Sequence, residues 1–166
     1  MTKYLALSVS PTEALNVLNG KQTALLRKRV PKGYVGWCYG VVSKKLSGRM
    51  VFKKGEDWYG AILSKNIIAK YPNHFENEYG GRIPFRFWYE GVEEVSKEKY
   101  WNNTNQQKYL MDAKGYAISI TKLEVFDKPM ELGEFHREIG TYSKGKPVWK
   151  EITKSPSTYQ YVWVKE

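Results

Sequence analysis

The side chains best suited to chemistry in this chain are cations. Arg27-Lys28-Arg29, with Lys32 close behind, form a dense basic cluster. Arg forks match paired phosphate oxygens and Lys acts as a point charge, so the cluster suits nucleic-acid phosphates; a solvated strand face would carry the same residues. Lys44, Lys45, Arg49, Lys53 and Lys54 extend the field and suit steering more than specificity. Near the other end, Tyr159, Tyr161 and Trp163 alternate onto one face. Such rings stack on bases for roughly 1–3 kcal/mol each, or simply line a core, and at least two of these three read as core.

Other chemistries find no foothold. His74 and His136 lie far apart, Cys38 is the single cysteine, and no H-x-E pattern occurs, so zinc hydrolase and deaminase sites are not expected. Glu93-Glu94 and Glu131/Glu134 belong to no catalytic motif visible in the sequence, and Gly80-Gly81 reads as a turn, not a phosphate loop. No metal or cofactor is expected. One cysteine forbids an intramolecular disulfide, and its apolar setting suggests a buried, inert thiol. The opening residues are too short an apolar run for a signal peptide, and no stretch approaches the roughly 18 residues of a membrane span. A cytoplasmic protein with no membrane partner is the expectation.

Charge is strongly lopsided. Residues 1–70 carry 13 Lys or Arg against 3 acids, a net of +10, whereas residues 71–166 carry 14 of each and cancel. All of the excess positive charge therefore comes from the first part of the chain, which favours a polyanionic partner.

Positioning these residues requires a strand-rich frame. The 166 residues, 42% hydrophobic and 15% aromatic, suit one folded domain over 1–166. Lys3–Ser8 reads as a first strand. Ser10-Pro11-Thr12-Glu13 is a capping box with Pro in the first helical turn, and Gly20 is a stop, so a helix over about 11–19 follows. Thr23–Arg29, Tyr34–Ser43, Met50–Lys53, Trp58–Leu63, Ile83–Val95, Tyr116–Phe126 and Tyr159–Val164 read as strands. Gly36 and Gly40 inside the second of these suggest close backbone approach. Asp127-Lys128-Pro129 should break the Tyr116 strand, with a helical turn in Met130–Phe135. Lys44–Arg49 reads as a hairpin, Asn66–Tyr71 as a helical turn, Asn102–Asn105 as a turn and Gln106–Ala113 as a short helix. Many strands and few helices suggest an α+β protein: a closed or nearly closed β-barrel with short helices packed at its ends.

In this layout the chain resembles the ASCH family, a branch of the PUA-like barrels. Leu5–Val9 with Pro11 and a short helix is similar to the family's opening, and Gly20–Arg29 to its signature, near G-x-K-x-x-E-x-R. Ala117–Met130 is similar to its late strand, and Thr153–Val162 to its closing P-x-x-Y-x-Y-V segment. Residues of about 55–110 do not align. The resemblance implies a barrel with a cleft formed by Gly20–Arg29 and Ser155–Tyr161, and recognition of RNA, single-stranded nucleic acid or a nucleobase-like ligand. Some members are amidohydrolases acting on acylated cytidine, and nuclease activity is attributed to others. Here Gly20 and Arg27 match the signature, but the family Lys falls on Gln22 and the family Glu on Leu25, where the amidohydrolases carry Thr. Neither residue can act as nucleophile or general base.

The resulting expectation is a non-enzymatic RNA- or nucleotide-binding module of ASCH type, of phage or mobile-element character. Its binding residues would be Lys21, Arg27, Lys28, Arg29, Lys32, Tyr159 and Tyr161. The alternatives are a hydrolase on modified nucleosides or RNA using Lys21 and Thr23, and an interaction protein that docks a host protein through its basic face.

Overall fold

The computed structural model describes residues 1–43, 80–95, 115–141 and 145–166, and the backbone of 49–54 and 57–62. The expected Asn66–Tyr71 and Gln106–Ala113 helices, the Asn102–Asn105 turn, His74 and nearly all of the Lys44–Arg49 hairpin lie outside the described residues.

The chain opens with β1 (Thr2–Val9), followed at once by helix α1 (Pro11–Leu18). Local chemistry dictates both ends of the helix. Glu13 N donates to Ser10 Oγ at 3.1 Å while Ser10 N donates to Glu13 Oε1 at 3.0 Å, a reciprocal cap on donors that the first turn leaves orphaned. At the far end Gly20 takes φ +71°, which glycine adopts without steric cost. Gly20 N then donates to Val17 O at 3.1 Å and Lys21 N to Asn16 O at 2.8 Å, the Schellman pair.

Five strands come next: β2 (Ala24–Arg27), β3 (Gly36–Val42), β4 (Arg49–Lys54), β5 (Asp57–Ile62) and β6 (Arg82–Tyr89). The rest are β7 (Val92–Val95), β8 (Gly115–Ser119), β9 (Thr121–Glu131), β10 (Phe135–Thr141), β11 (Pro147–Glu151) and β12 (Tyr159–Val164). A seven-stranded sheet has the order β11-β10-β12-β1-β3-β6-β9, a three-stranded sheet runs β2-β8-β7, and β4 pairs with β5. β1 and β3 are parallel, with α1 and β2 in the crossover that this pairing needs.

One face of the large sheet meets α1 and the small sheet. Leu5, Leu7, Phe85 and Phe87 pack there with Ala14 and Val17 of the helix and with Leu25 and Ile118 of the small sheet. A methyl group on Gly40 would sit 2.4 Å from the Phe85 ring, so the close approach expected of that glycine is real. A second cluster, with Tyr39, Phe135 and Val162, covers part of the opposite face.

The α+β class holds: strands dominate, and α1 is the one α-helix among the described residues. The arrangement is barrel-like, two sheets around one core, and among the described residues its ladders do not close fully, within the closed or nearly closed barrel that was expected. The long strands expected at Ile83–Val95 and Tyr116–Phe126 each divide between the two sheets. The first divides at Glu90-Gly91, with Gly91 at φ +139°, and the second at Ile120, whose N donates to Thr23 O at 2.8 Å. Asp127-Lys128-Pro129 does not end its strand. β9 is an edge strand, and between Ile83↔Met130 and Phe85↔Val125 its register slips, so these residues are absorbed in a bulge opposite Pro84. The turn expected near Met130–Phe135 is a 3-10 turn at Leu132–Glu134. Strands β10 and β11 carry no strand signal in the sequence: most of their residues are exposed and lack an apolar alternation.

Candidate nucleic-acid interface

Where β1 hands over to α1, three other segments converge. Ser8 N donates to Thr158 O at 2.9 Å, tying the approach to β12 to the end of β1, and Ser43 N donates to Val9 O at 2.9 Å, tying down the end of β3. Beside them β2 runs out into Lys28 and Arg29. Together they enclose a cavity of about 590 Å³, within the roughly 300–1,000 Å³ of small-ligand sites. Ser8, Ser10, Ser43, Ser157 and Thr158 line it from four segments, and Leu26 is the apolar residue among the described lining.

Its charged wall is the pair Glu13 and Arg27. Arg27 Nη1 donates to Glu13 Oε2 at 2.8 Å and to Leu26 O at 2.7 Å; Nη2 donates to Ser8 O at 2.9 Å and to Glu13 Oε1 at 3.2 Å. Both side chains are nearly buried, at 11% and 8% exposure. A buried pair is costly to break because the surviving charge is left unsolvated. Arg27 thus neutralises Glu13 and fastens β2 to the helix start and the end of β1. Its fork is committed to these contacts, not held open for a phosphate.

Lys28 and Arg29 are different. Both line the cavity, both are exposed, and among the described residues neither has an ion-pair or hydrogen-bond partner. These are the sequence-expected cations that the fold brings to the site. Of the expected cleft segments, Leu26–Arg29 and Ser157-Thr158 line it.

The other expected residues lie elsewhere. Lys21 follows the C-terminal end of α1, whereas the cavity is lined by the start of that helix. Thr23 is exposed before β2, and neither residue lines the cavity. Gln22 Nε2 is engaged by Ala24 O at 2.9 Å, and Leu25 is fully buried in the core. Lys32 is exposed but outside the lining. Tyr159 and Tyr161 pack against the main core cluster. Tyr161 meets Tyr34 at 5.8 Å between ring centres, and Lys3 Nζ sits 4.1 Å over its ring. Trp163, the third ring of that face, packs on Trp149 at 5.2 Å.

Core groups near these rings are held neutral. Burial pushes the Cys38 thiol far above its usual range, raises the Tyr34 phenol, and lifts Tyr89 to about 12. The Tyr89 hydroxyl donates to Pro31 O at 3.0 Å, anchoring the loop that follows β2. Among the described residues no group of three His, Cys, Asp or Glu is placed to hold a metal ion, and no helix is long and apolar enough to cross a membrane.

Sequence reasoning missed Ser8, Ser10, Ser43 and Glu13 as site residues. Each reads locally as a strand end or a helix cap, and nothing local marks Glu13 as the partner of Arg27.

No protein-family model and no curated protein matches the sequence. Among solved structures, a mutant of the ZmASCH protein from Zymomonas mobilis is similar, with a TM-score of 0.46 and 12% identity, over 77% of this chain and 75% of that one.

Proposed function

We propose that this chain is an RNA- or nucleotide-binding module of ASCH type that works by binding and not by catalysis. One observation carries the reading: the hydroxyl-lined cavity is flanked by Lys28 and Arg29, two exposed cations with no partner among the described residues. Unpaired cations beside a cavity supply what phosphate oxygens need, and the lopsided charge of the first 70 residues adds steering. Against turnover stand the inert Leu25 and the absence of Lys21 and Thr23 from the lining. The ligand class is RNA, single-stranded nucleic acid, or a nucleotide from it.

The test is equilibrium binding of a labelled single-stranded RNA between about 50 mM and about 200 mM salt, where counterion release makes affinity fall steeply. A steep fall is expected. Absence of binding at the lowest salt, or turnover of acylated cytidine that Lys21→Ala and Thr23→Ala each abolish, would overturn the reading.

A further inference from the structure

Base recognition uses a flat apolar platform, and among the described residues the cavity presents none: no described lining residue is aromatic, and Leu26 is the apolar one among them. The rings that sequence reasoning assigned to it, Tyr159 and Tyr161, do not line it and pack, half-buried, against the core. What the wall does present is hydroxyls, two cations and a carboxylate, the complement of a sugar phosphate.

The carboxylate is the informative part. A carboxylate accepts about four hydrogen bonds, roughly two per oxygen. Glu13 Oε1 already takes Ser10 N and Arg27 Nη2, while Oε2 takes Arg27 Nη1 alone. One acceptor position therefore remains on a residue of the cavity wall. Phosphate oxygens cannot use it, because they bring no proton. A sugar hydroxyl can.

We propose that the cavity reads the ribose and phosphate of a ribonucleotide and not its base: Lys28 and Arg29 take the phosphate, and Glu13 with the surrounding serines takes the ribose hydroxyls. This rests on the RNA-binding reading above and specifies its ligand. Arg27 is the positioning residue, holding the Glu13 carboxyl in place through both of its oxygens while offsetting its repulsion of the phosphate. The consequence is tolerance of sequence together with preference for RNA over DNA, since the 2′-hydroxyl is the proton donor that deoxyribose lacks.

Competition against a labelled single-stranded RNA tests this. Ribose 5-phosphate should displace the RNA, 2-deoxyribose 5-phosphate should be about tenfold weaker for want of one hydrogen bond to a charged acceptor, and uridine or cytidine should not compete at equal concentration. Oligo(U) and oligo(C) should bind within about threefold of each other, as backbone contacts carry no sequence information. Glu13→Gln should erase the ribose preference while phosphate binding persists. The wild-type competition decides the matter even where that variant folds poorly. Nucleosides competing better than ribose 5-phosphate, equal ribose and deoxyribose, or a tenfold gap between the two oligomers would overturn this inference and leave RNA binding standing. Absence of RNA binding altogether removes both.

Discussion

Two regions of this molecule hold cations, and they use them in opposite ways. On the face of the large sheet away from α1, across β3, β6 and β9, Arg86 lies 4.1 Å over the Trp37 ring, donates from Nε to Glu124 at 2.7 Å and from Nη1 to the Tyr39 hydroxyl at 3.2 Å. Lys122 sits 5.1 Å over Trp88, whose ring meets Trp37 edge-on at 5.3 Å. Charge and aromatic faces satisfy one another there, as cross-strand partners in register Trp37↔Trp88 and Tyr39↔Arg86. At the cavity, Arg27 is satisfied in the same manner by Glu13, but among the described residues Lys28 and Arg29 have no such partner. Satisfaction of partners favours the cavity, because a binding group must have valence left over.

The comparison can be broken first through stability. Glu13→Ala leaves the buried Arg27 guanidinium without its carboxylate and should cost about 3–5 kcal/mol, read by denaturant unfolding. Glu124→Ala breaks the more exposed Arg86 pair, 25% and 47% exposed, and should cost about 1 kcal/mol or less. Equal costs would mean that the cavity pair is no more buried in solution than the belt pair.

Alkaline titration sharpens it next. Tyr89 in the core is raised from 10.0 to about 12 chiefly by burial. A group whose folded value lies above its unfolded one adds stability that is complete below pH 10 and disappears as pH climbs through 12. Unfolding free energy should therefore decline over that window, and Tyr89→Phe should flatten the decline while lowering stability near neutrality, since the hydrogen bond to Pro31 goes with the hydroxyl. No phenol is among the described cavity residues, so the window reports on the core and not the site. A decline unchanged in Tyr89→Phe would contradict the assignment.

The smallest effect is the belt itself. A double-mutant cycle on Trp37 and Arg86 should return a coupling of about 0.5–1 kcal/mol, the usual worth of a cation over a ring near the surface. A coupling of zero would show that the belt cations are as available as Lys28 and Arg29.

What sequence can say about this fold follows the range of the forces involved. Helix α1 is legible to within a residue because Ser10, Pro11, Glu13 and Gly20 act on atoms at most a few positions away. Strand β12 is legible from its alternation, and its bounds at Tyr159–Val164 are as expected. The passage of β9 through Pro129 is not, because only its place at a sheet edge makes a proline harmless there. Of the site, Lys28, Arg29 and the Ser157-Thr158 segment are legible. The reassignment of Arg27 is not, since its partner lies fourteen residues upstream across a tertiary contact. Tyr159 and Tyr161 alternate as a base platform would, but so does any core face; both are half-buried against the main core cluster, and Tyr161 also meets the Tyr34 ring, contacts that no local pattern reveals.

In the proposed binding mode Lys28 and Arg29, and not the belt cations, meet the ligand. The measurement that tests it most directly is the salt dependence of single-stranded RNA binding in Lys28→Glu/Arg29→Glu beside Arg86→Glu/Lys122→Glu. Each phosphate that is no longer neutralised should lower the log–log slope by about 0.7. With Lys28 and Arg29 on one phosphate, the cavity variant should therefore show a slope shallower by about 0.7 and a clear drop in affinity, while the belt variant keeps the wild-type slope. A belt variant with the shallower slope, or a cavity variant with the wild-type one, would contradict the account.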